Sequence, residues 1–314
     1  LVAVAESAAS LRFADSIVAS TTLHRLAYFA TRDQRGLGQR SGGKSSALLM
    51  SADSLIWGPA IDLLRNHAMD PGQRLGAREA ANALWALATL RHDHTNDGRL
   101  FHKLTSVLCR LWDNGDQVAV RHWANAVWAA ATVRCDDPHF FAAVTSAVKE
   151  DPGACNARDM SQLAWAFATV AVAGEGHDLL ASFAETAGAK LEYFSGQDLA
   201  AVAWAIGTLG CHAEPAVSAF LPQLCVEARR RADDFVPQGI SMLLWGVAKT
   251  TVRGPEVLAL ASTLAVPVKR RAAGFTPQGA SNVLWAYATL APAATDPADA
   301  LAPVETLVEV GGRA

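Results

Sequence analysis

Apolar positions along this chain fall at helical spacing, and from residue 81 onward they do so in a recurring frame. Six segments share one pattern: ANALWALATL (81–90), ANAVWAAATV (124–133), SQLAWAFATV (161–170), AAVAWAIGTL (200–209), SMLLWGVAKT (241–250) and SNVLWAYATL (281–290). Ala and Leu dominate them and no Pro interrupts, so each is predicted to be an α-helix. Their Trp residues, 85, 128, 165, 204, 245 and 285, are spaced 43, 37, 39, 41 and 40 residues apart. A step that regular over two hundred residues marks an internal repeat rather than a biased composition.

The start of the Trp helix is signalled nine positions before the Trp. Asn156 and Ser195 are suited to cap it, with Asp159 and Asp198 three residues on, the spacing of a capping box. Thr276 can cap the last copy, with Pro277 at the first helical position, where a missing N–H costs nothing. Val236 is a poor cap, but Pro237 marks the same boundary. Phe194, Phe235 and Phe275 stand where a hydrophobic staple would fall, and Gly210 suits a C-cap. Second helices are predicted over 99–112, 138–150, 178–191, 215–231 and 255–271, separated by the loops HDHTNDG, CDD, AGEG, CHAE and VRG. One such hairpin cannot bury its apolar face alone. The expected fold is therefore an all-α protein, an α-solenoid of stacked antiparallel helical hairpins of about 40 residues.

Residues 76–314 hold about six of these hairpins. Residues 1–75 read as a divergent N-terminal repeat, with helices over 16–32 and 52–68, the latter containing Trp57. A Gly/Ser/Arg-rich insertion at about 32–46 separates them. The tail from 291 supplies at most one further helix.

Composition adds boundaries to this picture. Hydrophobic residues make up 51% and charged residues 18%, enough for a large core and too apolar for general disorder. The net charge of −3 exerts no global pull on nucleic acid, so any such binding needs a local basic surface. Cysteines 109, 135, 155, 211 and 225 form no C-x-x-C pair, which fits reduced and mostly packed thiols. The chain starts LVAVAESAAS, without Met and with no signal or transit peptide, and reads as part of a longer protein. No segment is long and apolar enough to be expected in a membrane.

The repeat positions sort into rows. Small residues stand one and three places after the Trp, which lets neighbouring helices approach closely. The Trp row itself is expected to be inter-repeat core, with a base-stacking platform as the alternative. A polar row does not follow from packing. Seven before the Trp stand Arg78, Arg121, Arg158, Gln197, Gln238 and Gln278; three before it, Asn82, Asn125, Gln162, Ala201, Met242 and Asn282; four after it, Thr89, Thr132, Thr169, Thr208, Lys249 and Thr289. These offsets lie along one helix face. Asn and Gln pair with adenine and Arg with guanine, so the row is a candidate base reader. The bland alternative is a solvated face whose Thr hydroxyls bond their own helix. Two basic runs, Arg229–Arg230–Arg231 and Lys269–Arg270–Arg271, recur 14 to 16 residues before a Trp, and Lys190 shares the register. They are a candidate phosphate track, or cations complementing helix C-termini.

FTPQGASNVLWAYATL (275–290) and FVPQGISMLLWGVAKT (235–250) resemble the octotricopeptide repeat, F-x-P-Q-x-x-S-N-x-L-W-A-x-A-x-L. That family comprises organellar RNA-binding factors of algae and other plastid-bearing eukaryotes, among them chloroplast translation factors. The pattern is similar also to the Leu-rich repeats of FAST-kinase-like mitochondrial proteins. The resemblance covers about residues 75–290, is strongest in the last two copies, and shows no RAP-like domain. It implies helical hairpins that bind single-stranded organellar RNA and act in translation, processing or stability of transcripts, rRNA included. It also implies a chloroplast or mitochondrial location, with RNA-processing or ribosomal proteins as further partners.

Other motifs are weaker. GQRSGGKS (38–45) spells G-x-x-x-x-G-K-S, in which Lys44 and Ser45 would hold phosphate, but helix and polar coil lead in where a strand is required. His92, Asp93, His94 and Asp97 alternate in a polar loop without the cysteines of a zinc set. No catalytic arrangement stands out. The expectation is a non-catalytic, cofactor-free, monomeric RNA-binding protein. The alternative is a helical scaffold that binds a protein or peptide.

Overall fold

The computed structural model describes residues 20–25, 27–28, 61–62, 64–65, 75–90 and 94–293. Trp57, the string at 38–45, His92, Asp93 and the tail from 294 lie outside the described residues, as do most of the two predicted N-terminal helices. Within those helices, 20–25, 27–28, 61–62 and 64–65 are helical.

Among the described residues the only regular structure is helix. The Trp helices are α1 (Ala77–Thr89), α3 (Val120–Thr132), α5 (Ala157–Val170), α7 (Gly196–Leu209), α9 (Pro237–Lys249) and α11 (Pro277–Leu290). Between them run α2 (His94–Asp113), α4 (Pro138–Glu150), α6 (Ala173–Ala187), α8 (Pro215–Arg230) and α10 (Pro255–Arg270). The chain divides into two compact units, Leu1–Val144 and Thr145–Ala314, with the boundary inside α4. In the first unit α1 packs against α3 and against α2. In the second, α5, α7, α9 and α11 pack each against the next, while α6, α8 and α10 form a second row beside them.

Each Trp helix begins eight residues before its Trp, at 77 for Trp85 and at 277 for Trp285. Both predicted capping boxes form: Asn156 accepts from the Asp159 N–H and Ser195 from the Asp198 N–H, with the carboxylates bonding back. Thr276 Oγ1 accepts from Gly279 N–H at 3.1 Å. Gly76, Ala119 and Val236 make no side-chain cap, yet their helices start in the same frame. Packing enforces the register where capping does not. Asp198 also accepts a 2.6 Å bond from Ser161 Oγ, tying the start of α7 to α5.

Two predicted loops prove to be helix. The α2 helix starts at His94, inside HDHTNDG. The AGEG segment is the first turn of α6. Its Gly176 is buried against α7, where a Cβ would lie 2.9 Å from Leu209 Cδ1. That glycine serves close packing rather than a turn. At the other end, α6 stops at Ala187 and continues as a 3₁₀ segment, Gly188–Tyr193.

Candidate nucleic-acid interface

Position-by-position burial defines the faces of the Trp helices. Residues at −2, +1 and +2 from the Trp are buried in all six copies, among them Leu87, Phe167, Ile206, Val247 and Tyr287. The Tyr287 hydroxyl donates to the Ala261 carbonyl at 2.9 Å, and burial pushes its ionisation upward. The −7 row is exposed throughout: Arg78, Arg121, Arg158, Gln197, Gln238 and Gln278. The −3 row, Asn82, Asn125, Gln162, Ala201, Met242 and Asn282, is half-buried throughout, and the +4 row is half-buried or exposed. Gln278 Nε2 donates to Asn282 Oδ1 at 3.1 Å, so the −7 and −3 groups of α11 meet on one face.

The Trp row departs from the sequence expectation. It is only partly inter-repeat core: Trp85, Trp128, Trp165, Trp204 and Trp245 are half-buried, and Trp285 is 42% exposed. Small +1 and +3 residues stand at the close approach of neighbouring backbones, as at Gly207 and Gly246 where α7 meets α9. In the first unit the rings of Trp85 and Trp128 lie 6.4 Å apart, tilted by 31°. In the second, those of Trp245 and Trp285 lie 6.3 Å apart at 41°. Lys249, which replaces Thr at +4, holds its Nζ 6.0 Å from the Trp245 ring.

Three threonines at +4 follow the bland alternative, while Thr89 Oγ1 is buried with no hydrogen-bond partner among the described residues. Thr132, Thr169 and Thr289 donate to the carbonyls of Trp128, Trp165 and Trp285 at 2.8, 2.8 and 2.7 Å. Their hydroxyl hydrogens are spent, leaving only acceptor capacity toward a ligand. The −3 row is also broken by Ala201 and Met242, which have no hydrogen-bonding side chain.

Two histidines that the repeat arithmetic did not single out border the row in the first unit. The His24 ring packs 4.8 Å from Trp85. Burial, then the neighbouring Arg78 guanidinium, holds its ionisation below the ordinary histidine range. Burial and Arg121 act in the same sense on His122. Both imidazoles are therefore disfavoured as cations beside the arginines, which keeps them as neutral hydrogen-bonding groups. No periodic signal marks them, since each occurs once.

The basic track is largely occupied. Arg231 donates from Nε to Glu227 Oε1 at 2.6 Å, from Nη1 to the Phe194 carbonyl at 2.7 Å, and from Nη2 to the Glu192 carbonyl. Arg271 donates to the Asp233 carbonyl at 2.7 Å. Lys190, in the same register, bonds the carbonyls of Gly153 and Cys155 at 2.6 and 3.0 Å. These three cations stitch each helix start to the preceding one. Donors bonded to carbonyls are less free for phosphate, while Arg271 Nη1 is buried with no partner among the described residues. Arg230 is exposed but pairs at 3.3 Å with the buried Glu227, which Arg231 also holds. Arg270 pairs with Asp233 where both side chains are exposed, and such a surface pair is weak and can exchange for phosphate. Arg231→Ala is expected to cost about 1–3 kcal/mol of stability through its lost charge-assisted bonds. The same substitution should leave any salt dependence of RNA binding unchanged. Urea denaturation and salt titration together check this.

The thiols offer no alternative chemistry. Burial pushes Cys109, Cys155, Cys211 and Cys225 up to about 12, so they stay protonated, and burial raises the half-buried Cys135 as well. Among the described residues no cluster of three or more His, Cys, Asp or Glu could hold a metal, and no helix is long and apolar enough to cross a membrane. No family model matches the chain, and no curated protein matches it.

Proposed function

We propose that the hairpins stack as an α-solenoid and bind single-stranded RNA, without catalysis, along the exposed face of the Trp helices. The observation that carries this is a recurrence. On each Trp helix the positions −7, −3, 0 and +4 reach solvent while −2, +1 and +2 are buried. The accessible face thus repeats an indole beside amide or guanidinium groups. Flat bases of a single strand offer a π-face to the indole and a hydrogen-bonding edge to the amides. A duplex hides both. The octotricopeptide-like motif at 235–250 and 275–290 supports the same ligand and a role in organellar RNA metabolism: translation, processing or stability of transcripts.

Selection from a random RNA pool, repeated over a salt series, tests the reading. Binding is expected to weaken as salt rises, with a slope that counts the neutralised phosphates at roughly 0.7 each for a single strand. Asn125→Ala should change the preference at one base while circular dichroism stays that of the parent. A folded protein that retains no RNA at the lowest salt would sink the proposal and leave the scaffold reading in its place.

A further inference from the structure

The last two Trp helices differ from the others in a way that localises the backbone contact of the strand. This step rests on the RNA reading above. At +4, three of the copies close a Thr hydroxyl onto the Trp carbonyl, but α9 carries Lys249. Its ammonium lies over the Trp245 indole, which packs against Trp285, the most exposed member of the row at 42%. Among the described residues Lys249 has no ion-pair partner.

The ordinary role of a lysine in a last helical turn is to complement the helix C-terminus. Here Arg253 already fills that role. Its Nη2 bonds the Ala248 carbonyl at 3.1 Å, and its Nη1 bonds the carbonyls of Thr250 and Val252 at 2.6 and 2.8 Å. The end of α9 is thus closed without Lys249, and Arg231 and Arg271 are committed to carbonyls of their own unit. Lys249 is left as a cation on an aromatic step, with the Gln278–Asn282 amide pair on the same helix face as Trp285.

We propose that the Trp245–Trp285 step is a nucleotide-binding site, in which a base stacks on Trp285 and the adjoining phosphodiester accepts from the Lys249 ammonium. The Gln278–Asn282 pair borders the base edge. A cation beside a stacking ring is the pairing a nucleotide needs, since its flat base and its negative charge are joined by one sugar. The site makes α9–α11 the anchor of the strand and the other steps secondary.

The experiment uses the full chain with a ribo-octanucleotide selected from the pool, followed by tryptophan fluorescence over a salt series. Lys249→Thr restores the residue found in the other copies and so leaves the fold intact. It is expected to weaken low-salt binding several-fold and to reduce the slope by about 0.7. Lys249→Arg should retain the slope. Trp285→Ala, at an exposed site, should weaken binding about 5- to 100-fold and remove part of the fluorescence change. If the parent binds and both Lys249→Thr and Trp285→Ala bind with unchanged affinity and slope, the site is overturned while RNA binding stands. If the parent itself binds nothing, the underlying reading fails.

Discussion

Replacing Trp123 by alanine is expected to lower the unfolding free energy by about 3–5 kcal/mol, the range for emptying a buried aromatic site. Trp123 is one of the tryptophans outside the repeat frame, five positions before Trp128 on α3, and it is fully buried. Its ring meets Trp112 edge-on at 6.3 Å and 84°, and Phe140 at 6.0 Å. Phe140 in turn meets Phe141 at 5.8 Å, so the indole sits in an aromatic core of the first unit. Its Nε1 is buried with no hydrogen-bond partner among the described residues. Trp123→Phe therefore removes an uncompensated N–H together with some volume, and should cost much less than the alanine. Trp204→Ala provides the contrast. That side chain is partly exposed, and the loss scales with the apolar area removed from water, so a smaller cost than for Trp123→Ala is expected. Urea denaturation of the three variants, followed by circular dichroism, settles the order. Equal costs for Trp204→Ala and Trp123→Ala would return the repeat tryptophans to the core.

The second large effect concerns two glycines where α7 meets α9. A Cβ at Gly246 would lie 2.3 Å from the Ala203 carbonyl oxygen and 2.7 Å from the Trp204 nitrogen. One at Gly207 would lie 2.4 Å from the Gly246 oxygen. These neighbours are backbone atoms of a packed helix, so a methyl can be admitted only by moving the helices apart. Gly→Ala in a helix interior ordinarily gains about 1 kcal/mol from propensity. Here overpacking of about 1–3 kcal/mol or more opposes that gain, and Gly246→Ala is expected to be net destabilising. Gly207→Ala should act likewise, and the pair should add less than their sum because both methyls enter one contact. Gly174→Ala, with nothing near the added methyl, should be neutral or slightly stabilising. A Gly246→Ala protein more stable than its parent would show that the α7–α9 contact yields at little cost.

These two cases show where sequence reasoning reached and where it stopped. The helix starts were legible because caps and prolines are local: Asn156, Ser195, Thr276 and Pro277 act within one turn. The small +1 and +3 residues also kept their predicted purpose, carried furthest at Gly207 and Gly246. The partial exposure of the Trp row follows from position rather than from residue type. Offsets −3 and +4 bracket the Trp, so helical geometry alone places it on the polar face. An indole, large and with a polar edge, is suited to that half-buried place. The basic runs carry tertiary bonds that no local pattern shows. Arg231 and Lys190 recur as a phosphate track would, yet their partners are carbonyls 35–39 residues upstream, which no local pattern announces.

By itself, then, the sequence determined the repeat, the start of each Trp helix and which residues share a helical row, because period and capping depend on neighbours within a turn. Only the tertiary structure decided which row meets solvent, which cations are already bonded and where an indole stands exposed beside Lys249. Helical periodicity gives the angles between rows, but absolute burial belongs to whatever helix packs alongside.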